Sequence, residues 1–206
     1  MQTPTLTIIA GCNGSGKSTF SNTYVKTKPF DYDKRYLEIY NLLLDSELRE
    51  KFAKDKTTKE FEIMFNHALS NKQDFCYETN FDTYPIENAM RAKNAGFKLH
   101  LYFFCLLNLD LAKKRVKIRT VNHGHFITDD TIEYKWKKGY ENLDTYFKFF
   151  DYVLLIDNSK KLEVPKNLFS LTKNIKGNFS VEFYSKLPNY TQCRFPKIYD
   201  IIEPDL

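Results

Sequence analysis

The sequence has no closely spaced cysteines. Its four, Cys12, Cys76, Cys105 and Cys193, lie far apart without a C-x-x-C pair. That spacing points to reduced thiols rather than a disulfide framework. Cys76 and Cys105 sit in apolar runs, where cysteine behaves as a small hydrophobe. No apolar run approaches the roughly 20 residues a membrane span needs, and the first residues lead straight into an apolar strand without a signal-like segment. The expectation is a cytoplasmic protein with no membrane partner. Repeats and low-complexity tracts are absent, as is any recognisable nucleic-acid motif, so no nucleic-acid partner is expected. With 206 residues, 42% hydrophobic content and a net charge of only +5, one folded domain with a substantial core is expected.

Glycine is scarce too, with seven in the chain, and three of them fall at 11, 14 and 16. They belong to Gly11-Cys12-Asn13-Gly14-Ser15-Gly16-Lys17-Ser18, which fits G-x-x-x-x-G-K-[ST], followed by Thr19. At average residue usage this pattern arises by chance in roughly one chain of this length in a hundred. The apolar run 5–10 before it suits a buried parallel strand, and 17–27 can start a helix. Glycines there let the backbone turn with positive φ and bring its N–H groups against phosphate oxygens. Gly11, Asn13, Gly14, Ser15, Gly16, Lys17, Ser18 and Thr19 are therefore the expected nucleotide-binding residues. Lys17 would reach the β- and γ-phosphates and the Ser18 hydroxyl would ligate Mg²⁺, with ATP favoured over GTP.

The remaining pattern alternates strands and helices. A short second strand is expected at 29–33, helices at 34–54 and 58–71, a third strand at 74–79 and a helix at 83–95 capped by Gly96. The long aromatic run 97–107 is the expected central strand. It is followed by a basic helix at 109–121, a polar loop at 122–128, a long helix at 129–150 and a fifth strand at 152–156. The fold class is α/β, a P-loop NTPase or nucleotide-kinase-like parallel sheet of about five strands with helices on both faces and a helical lid at about 109–150. The kinase core would span 1–159. Residues 160–206 form an appendage packed on it, with a hairpin at 170–183 turning at Lys176-Gly177-Asn178 and a last helix at 197–202.

Phosphoryl transfer needs positioned charge and a base for the attacking hydroxyl. On the 109–121 helix, Leu109, Leu111, Ala112, Val116 and Ile118 define an apolar arc that also contains Arg115 and Arg119, while Lys113, Lys114 and Lys117 lie opposite. Inward-facing arginines beside a triphosphate would clamp its oxygens; the alternative is structural ion pairing. On the next helix, Glu133 and Lys137 form an expected i,i+4 pair, and Lys135 and Lys138 share a flank where they would contact phosphate or simply face solvent. His123 and His125 lie in the loop between, where His125 is a candidate for substrate contact. Asp33 is the first candidate base and Asp31 its rival, with helix capping the alternative for either. Glu78 would hold a Mg²⁺ water or a substrate hydroxyl, or else act structurally.

Over about 5–159 the chain resembles the zeta-toxin family of P-loop kinases. The resemblance rests on Ala10-Gly11-x-Asn13-Gly14-Ser15-Gly16-Lys17-Ser18-Thr19, Asp33 and Phe75-x-Tyr77-Glu78-Thr79. It extends through Arg115-Val116-x-x-Arg119, Gly124-His125-x-Ile127, the helix 132–143 and Asp157-Asn158-Ser159. It implies an ATP-dependent kinase acting on a hydroxyl of a sugar nucleotide such as UDP-N-acetylglucosamine, with an antitoxin protein as a partner. It also implies Asp33 as base, Glu78 and Thr79 facing substrate, and Arg119 stabilising transferred charge. This chain departs from the family with Lys135 and Lys138 where the lid helix tends to carry arginines, and with Thr128 in place of proline. Two other functions fit the motif: a kinase for another acceptor (a nucleoside, sugar or nucleic-acid end) and an ATP-binding switch without substrate phosphorylation.

Overall fold

The computed structural model describes residues 3–121, 127–160 and 163–205. In chain order the elements are β1 (Thr5–Ala10), α1 (Lys17–Tyr24), α2 (Tyr32–Leu42), α3 (Arg49–Asn71), β2 (Phe75–Thr79), α4 (Glu87–Asn94), β3 (Lys98–Cys105) and α5 (Leu109–Val121). Next come α6 (Asp129–Tyr146), β4 (Tyr152–Asp157), β5 (Lys166–Lys173), β6 (Phe179–Phe183), α7 (Tyr190–Arg194) and α8 (Pro196–Ile202). They build an α/β fold around one six-stranded sheet of order β2-β1-β3-β4-β5-β6. The first four strands are parallel, and β5 and β6 join antiparallel.

The strand count is six, not five, and the membership changes as well. Residues 29–33 do not form a strand: Phe30 makes a single parallel bridge to Tyr77. Asp31 then caps α2, its carboxylate accepting from Lys34 N at 3.0 Å. The cap starts a helix where a strand would have to continue. Two strands come instead from the tail, where the hairpin turning at Asn174–Asn178 extends the sheet beyond β4. The break between α2 and α3 lies at 43–48, earlier than the expected 55–57. Thr57 is buried inside α3 because its hydroxyl donates to Ala53 O at 2.7 Å, so a polar side chain there does not end the helix.

The larger core lies on one face of the sheet. Leu6, Ile8, Leu99, Leu101, Phe103 and Val153 pack there against Phe61 and Phe65 of α3, Ala89 of α4, Leu143 of α6 and Ile198 of α8. The other face is thinner, with Ile9, Phe104, Leu154 and Ile156 under Phe20 and Tyr24 of α1. All four cysteines are free. No helix among the described residues is long and apolar enough to cross a membrane. Because β2 and β3 lie on opposite sides of β1, the chain reverses direction across the sheet at the carboxyl end of β1, where ligands of open parallel sheets bind. The segment after β1 is Gly11–Lys17.

Candidate active site

The loop after β1 is packed so closely that three positions admit no side chain. Gly11, Gly14 and Gly16 have φ of +138°, +80° and +91°. A Cβ on Gly11 would lie 2.5 Å from Phe104 O, one on Gly14 2.9 Å from Ala112 O, and one on Gly16 would overlap Asn158 Nδ2. β3, α5 and the end of β4 thus mould the loop from three sides. Asn158, buried after β4, donates through Nδ2 to Ser15 O at 2.8 Å. The chain then enters α1 at Lys17, so the loop's N–H groups and the helix N-terminus offer positive partial charge to an anion. Asn13 Oδ1 and Ser15 Oγ are buried with no partner among the described residues. The Cys12 thiol, also buried in the loop, is pushed up to about 12 by desolvation and stays protonated.

Lys17 Nζ donates to Gly11 O at 2.6 Å and to Cys12 O at 3.2 Å. Burial pulls its pKa down, while the fields of the Glu78, Asp33 and Asp31 carboxylates act to raise it. Ser18 Oγ donates to Glu78 Oε2 at 2.6 Å. Glu78 is buried at the end of β2, and desolvation raises its pKa against the hydrogen bond from Ser18. A hydroxyl and a carboxylate facing each other at a helix N-terminus form a donor set suited to Mg²⁺, which takes one or two carboxylates and completes its shell with water and phosphate oxygens. Among the described residues no group of three or more His, Cys, Asp or Glu could hold a metal by itself.

A cleft of about 1380 Å³ opens over this loop. Of the residues expected from sequence, it brings together Asn13, Gly14, Gly16, Lys17, Ser18, Thr19, Asp33, Glu78, Thr79, Arg115, Arg119 and Lys135. Gly11 and Ser15 are buried within the loop. His125 falls outside the described residues, as does His123. Arg115 is half-buried against the loop, donating to Gly14 O at 3.5 Å and to Lys160 O at 3.3 Å. Arg119 lines the cleft but is exposed, with no ion pair among the described residues. Ile118, placed on the apolar arc by its spacing, is 52% exposed. Glu133 pairs with Lys113 of α5 at 3.3 Å rather than with Lys137, because α5 and α6 lie side by side. Lys138 pairs with Glu141 on the surface at 2.7 Å. Asp31 is the α2 cap, whereas Asp33, in the first turn, is exposed and without a protein partner among the described residues.

Asn80 was not among the sequence candidates. Its amide lies between three groups of the site. In one orientation its oxygen accepts from Lys17 Nζ at 3.3 Å. Turned over, the oxygen accepts from Lys135 Nζ at 3.2 Å while the nitrogen donates to Gly11 O at 3.3 Å, which satisfies both ends. α6 reaches this close because residue 139 is glycine: a Cβ there would lie 2.8 Å from Asn80 O. Asn142, one turn further along α6, donates to Phe81 O at 2.8 Å and Asp82 O at 3.0 Å, fixing the segment in which Phe81 holds φ +63°. The sequence signal for Asn80 was its place just after a strand end.

No protein-family model matches the chain. An uncharacterized protein of Haemophilus influenzae is 26% identical over 127 residues, covering 61% of this chain and 88% of its own length. Three similar solved structures give the fold. A chain of the Pnkp1/Rnl/Hen1 RNA repair complex matches with TM-score 0.55 and 23% identity over 70% of this chain, which spans 47% of that protein. A structure from the PezAT chromosomal toxin-antitoxin system of Streptococcus pneumoniae matches with TM-score 0.56 and 15% identity, over 98% of this chain and 89% of that one. The AvrRxo1-ORF1:ORF2 structure with ATP matches with TM-score 0.59 and 13% identity, over 87% and 60% respectively. The chain has a P-loop kinase-like fold. This chain spans about half the length of the RNA-repair chain it resembles.

Proposed function

We propose that the protein is an ATP-dependent kinase of zeta-toxin type, passing the γ-phosphoryl group of ATP to a hydroxyl of a small molecule. The observation that carries this reading is the cleft itself. Lys17, Ser18 and Glu78 gather at one end, Asp33 faces the same space without a protein partner among the described residues, and the volume of about 1380 Å³ exceeds the range of roughly 300–1,000 Å³ usual for a single ligand. A nucleotide and an acceptor can therefore occupy it together.

In this reading the loop amides and Lys17 hold the β- and γ-phosphates of ATP. Lys17 exchanges its bonds to the Gly11 and Cys12 carbonyls for phosphate oxygens. Ser18 and Glu78 would hold Mg²⁺, which neutralises phosphate charge when bound. The acceptor oxygen forms its bond to the γ-phosphorus as the bond to the β-phosphate oxygen breaks, and ADP leaves. The hydroxyl proton passes to the Asp33 carboxylate; that Asp31 is engaged as a helix cap favours Asp33 for this task. Arg115, Arg119 and Lys135 face the charge that is transferred. Glu78 and Thr79 border the acceptor, as the zeta-toxin resemblance implies, and a sugar nucleotide such as UDP-N-acetylglucosamine is the reference acceptor. A protein partner of antitoxin type belongs to the same reading, supported by the likeness to folds from a toxin-antitoxin system and a two-component complex.

The test is incubation with ATP, Mg²⁺ and a panel of hydroxyl acceptors. Wild type should give a phosphorylated product, and Asp33→Asn should bind ATP yet form none. ATP hydrolysis no faster than the uncatalysed rate with every acceptor, alongside intact ATP binding, would instead favour a switch.

A further inference from the structure

Asn80 sits where the phosphate loop meets α6, and its backbone is held from both sides. Gly139 of α6 rests on its carbonyl, and Asn142 holds the carbonyls of Phe81 and Asp82 that follow. The side-chain amide is left to turn about its last bond, and it lines the cleft. One end of that amide lies 3.3 Å from Lys17 Nζ and 3.3 Å from Gly11 O, and the other end lies 3.2 Å from Lys135 Nζ. Two ammonium groups and one carbonyl thus surround a group that has one accepting and one donating end.

The amide cannot satisfy both lysines. With its oxygen toward Lys17 it completes a set of three acceptors on that ammonium, beside Gly11 O at 2.6 Å and Cys12 O at 3.2 Å. Its nitrogen then faces Lys135, donor against donor, while its oxygen faces Gly11 O, acceptor against acceptor. Turned over, it donates to Gly11 O and accepts from Lys135, but its nitrogen now faces Lys17. Each arrangement keeps a conflict for as long as Lys17 stays at the Gly11 carbonyl. Moving Lys17 away relieves the second arrangement and not the first.

We infer, resting on the ATP site of the kinase reading, that Asn80 is a positioning residue whose amide turns over when ATP binds and so couples Lys17 to Lys135. When Lys17 swings to the β- and γ-phosphates it vacates Gly11 O, and Gly11 is buried, so the carbonyl then needs another donor. The Asn80 nitrogen takes that place. The same turn brings its oxygen to Lys135 and holds the ammonium of α6 at the edge of the phosphate site. The loop and α6 thereby respond to nucleotide together, through one torsion and with both backbones at rest. Without nucleotide the amide is divided between the two lysines; with nucleotide it has one consistent set of partners.

A purely structural Asn80 would support the free and the ATP-bound protein equally, so its loss would lower stability and leave ATP affinity alone. Asn80→Leu keeps the volume and removes both hydrogen-bonding ends. ATP affinity is measured by calorimetric titration with Mg²⁺, beside urea unfolding of the same proteins without nucleotide. Asn80→Leu should bind ATP about tenfold more weakly, the effect of one hydrogen bond to a charged group. Lys135→Ala should weaken ATP binding too. In that background the loss from Asn80→Leu should shrink to about threefold or less, because part of it runs through Lys135. Asn80→Asp keeps the accepting ends but cannot donate to Gly11 O, and it should bind ATP no better than Asn80→Leu. Unchanged ATP affinity in Asn80→Leu overturns the inference, as does full additivity with Lys135→Ala. Lys135→Ala, at a half-exposed position, carries the test even where the Asn80 variants fold poorly: unchanged ATP affinity there also overturns it. Because only binding is read, the kinase reading fails separately: wild type that binds ATP but phosphorylates no acceptor loses that reading and keeps the coupling.

Discussion

Asn158 and Gly16 act as one unit, and a double-mutant cycle measures it. Asn158→Ala removes the hydrogen bond from Nδ2 to Ser15 O, 2.8 Å long and buried. Leaving that carbonyl without its donor costs about 1–3 kcal/mol. Gly16→Ala adds two separate penalties. Its φ of +91° places an L-residue in left-handed backbone, at about 1–2 kcal/mol. Its new Cβ overlaps Asn158 Nδ2, so the amide must swing away and the same hydrogen bond is lost, at a further 1–3 kcal/mol or so. In the double variant the overlap no longer exists and the bond is lost only once. The double variant should therefore be less destabilised than the sum of the singles by about 1–3 kcal/mol, well beyond the roughly 0.3–0.5 kcal/mol scatter of independent sites. Urea unfolding of the four proteins without nucleotide gives the energies. Additivity within that scatter would refute the view that Asn158 props the loop through Ser15 and thereby dictates glycine at 16.

Three further outcomes follow from the site and its supports. Gly139→Ala should cost about 1–3 kcal/mol by pressing on Asn80 O and should also weaken ATP binding, since Asn80 is bonded to the Lys17 and Lys135 region; lost stability with unchanged affinity in an ATP titration would separate α6 from the phosphate site. The Glu78 carboxyl is raised above its ordinary 4.5 by burial, so its contribution to stability is present below that value and lost as pH rises through the raised pKa. Glu78→Gln should therefore gain stability relative to wild type between acid and neutral pH in thermal melts, while losing Mg²⁺-dependent turnover; parallel melting curves at every pH would contradict this. Arg194→Ala removes donation to Leu106 O at 2.6 Å and to Leu107 O, and the packing of its guanidinium over Trp136, Tyr140 and Tyr190. A loss of about 2–4 kcal/mol, read as roughly 5–15 °C in Tm by calorimetry, is expected.

The phosphate loop was legible in the sequence because its glycines fix local backbone shape, and a local requirement leaves a local pattern. The parallel strands were legible for a similar reason: apolar runs such as 97–107 need two covered faces wherever they end up. What escaped depended on partners distant in the chain. Residues 29–33 look like a strand until Asp31 turns out to start α2. The apolar spacing of α2 runs on through Leu43 and Leu44, yet Leu43 is only half-buried and Leu44 is 90% exposed, so periodicity hid the break at 43–48. The tail reads as a hairpin from its turn, but nothing in it names β4 as its neighbour. On α5 the arc placed Ile118 and Arg119 inward, yet both are exposed, Arg119 at the wall of the cleft. Asn80 is marked in the sequence only by its place just after a strand end. Its position comes from α6, joined to it through a glycine 59 residues later.

α6 is anchored along most of its length. Ile132 is packed beside Cys12 and Val116, Gly139 rests on Asn80, and the Tyr140 hydroxyl accepts from Leu106 N at 3.0 Å. Asn142 holds the backbone at 81–82, and the Asp144 carboxylate accepts from Ile198 N at 3.0 Å at the start of α8. A rod pinned at so many points behaves as a strut rather than a hinge. It links the C-terminal helix to Asn80 and the backbone at 81–82 beside the cleft. Residues 196–202 thus brace, through α6, the wall of a cleft from which they are remote in sequence.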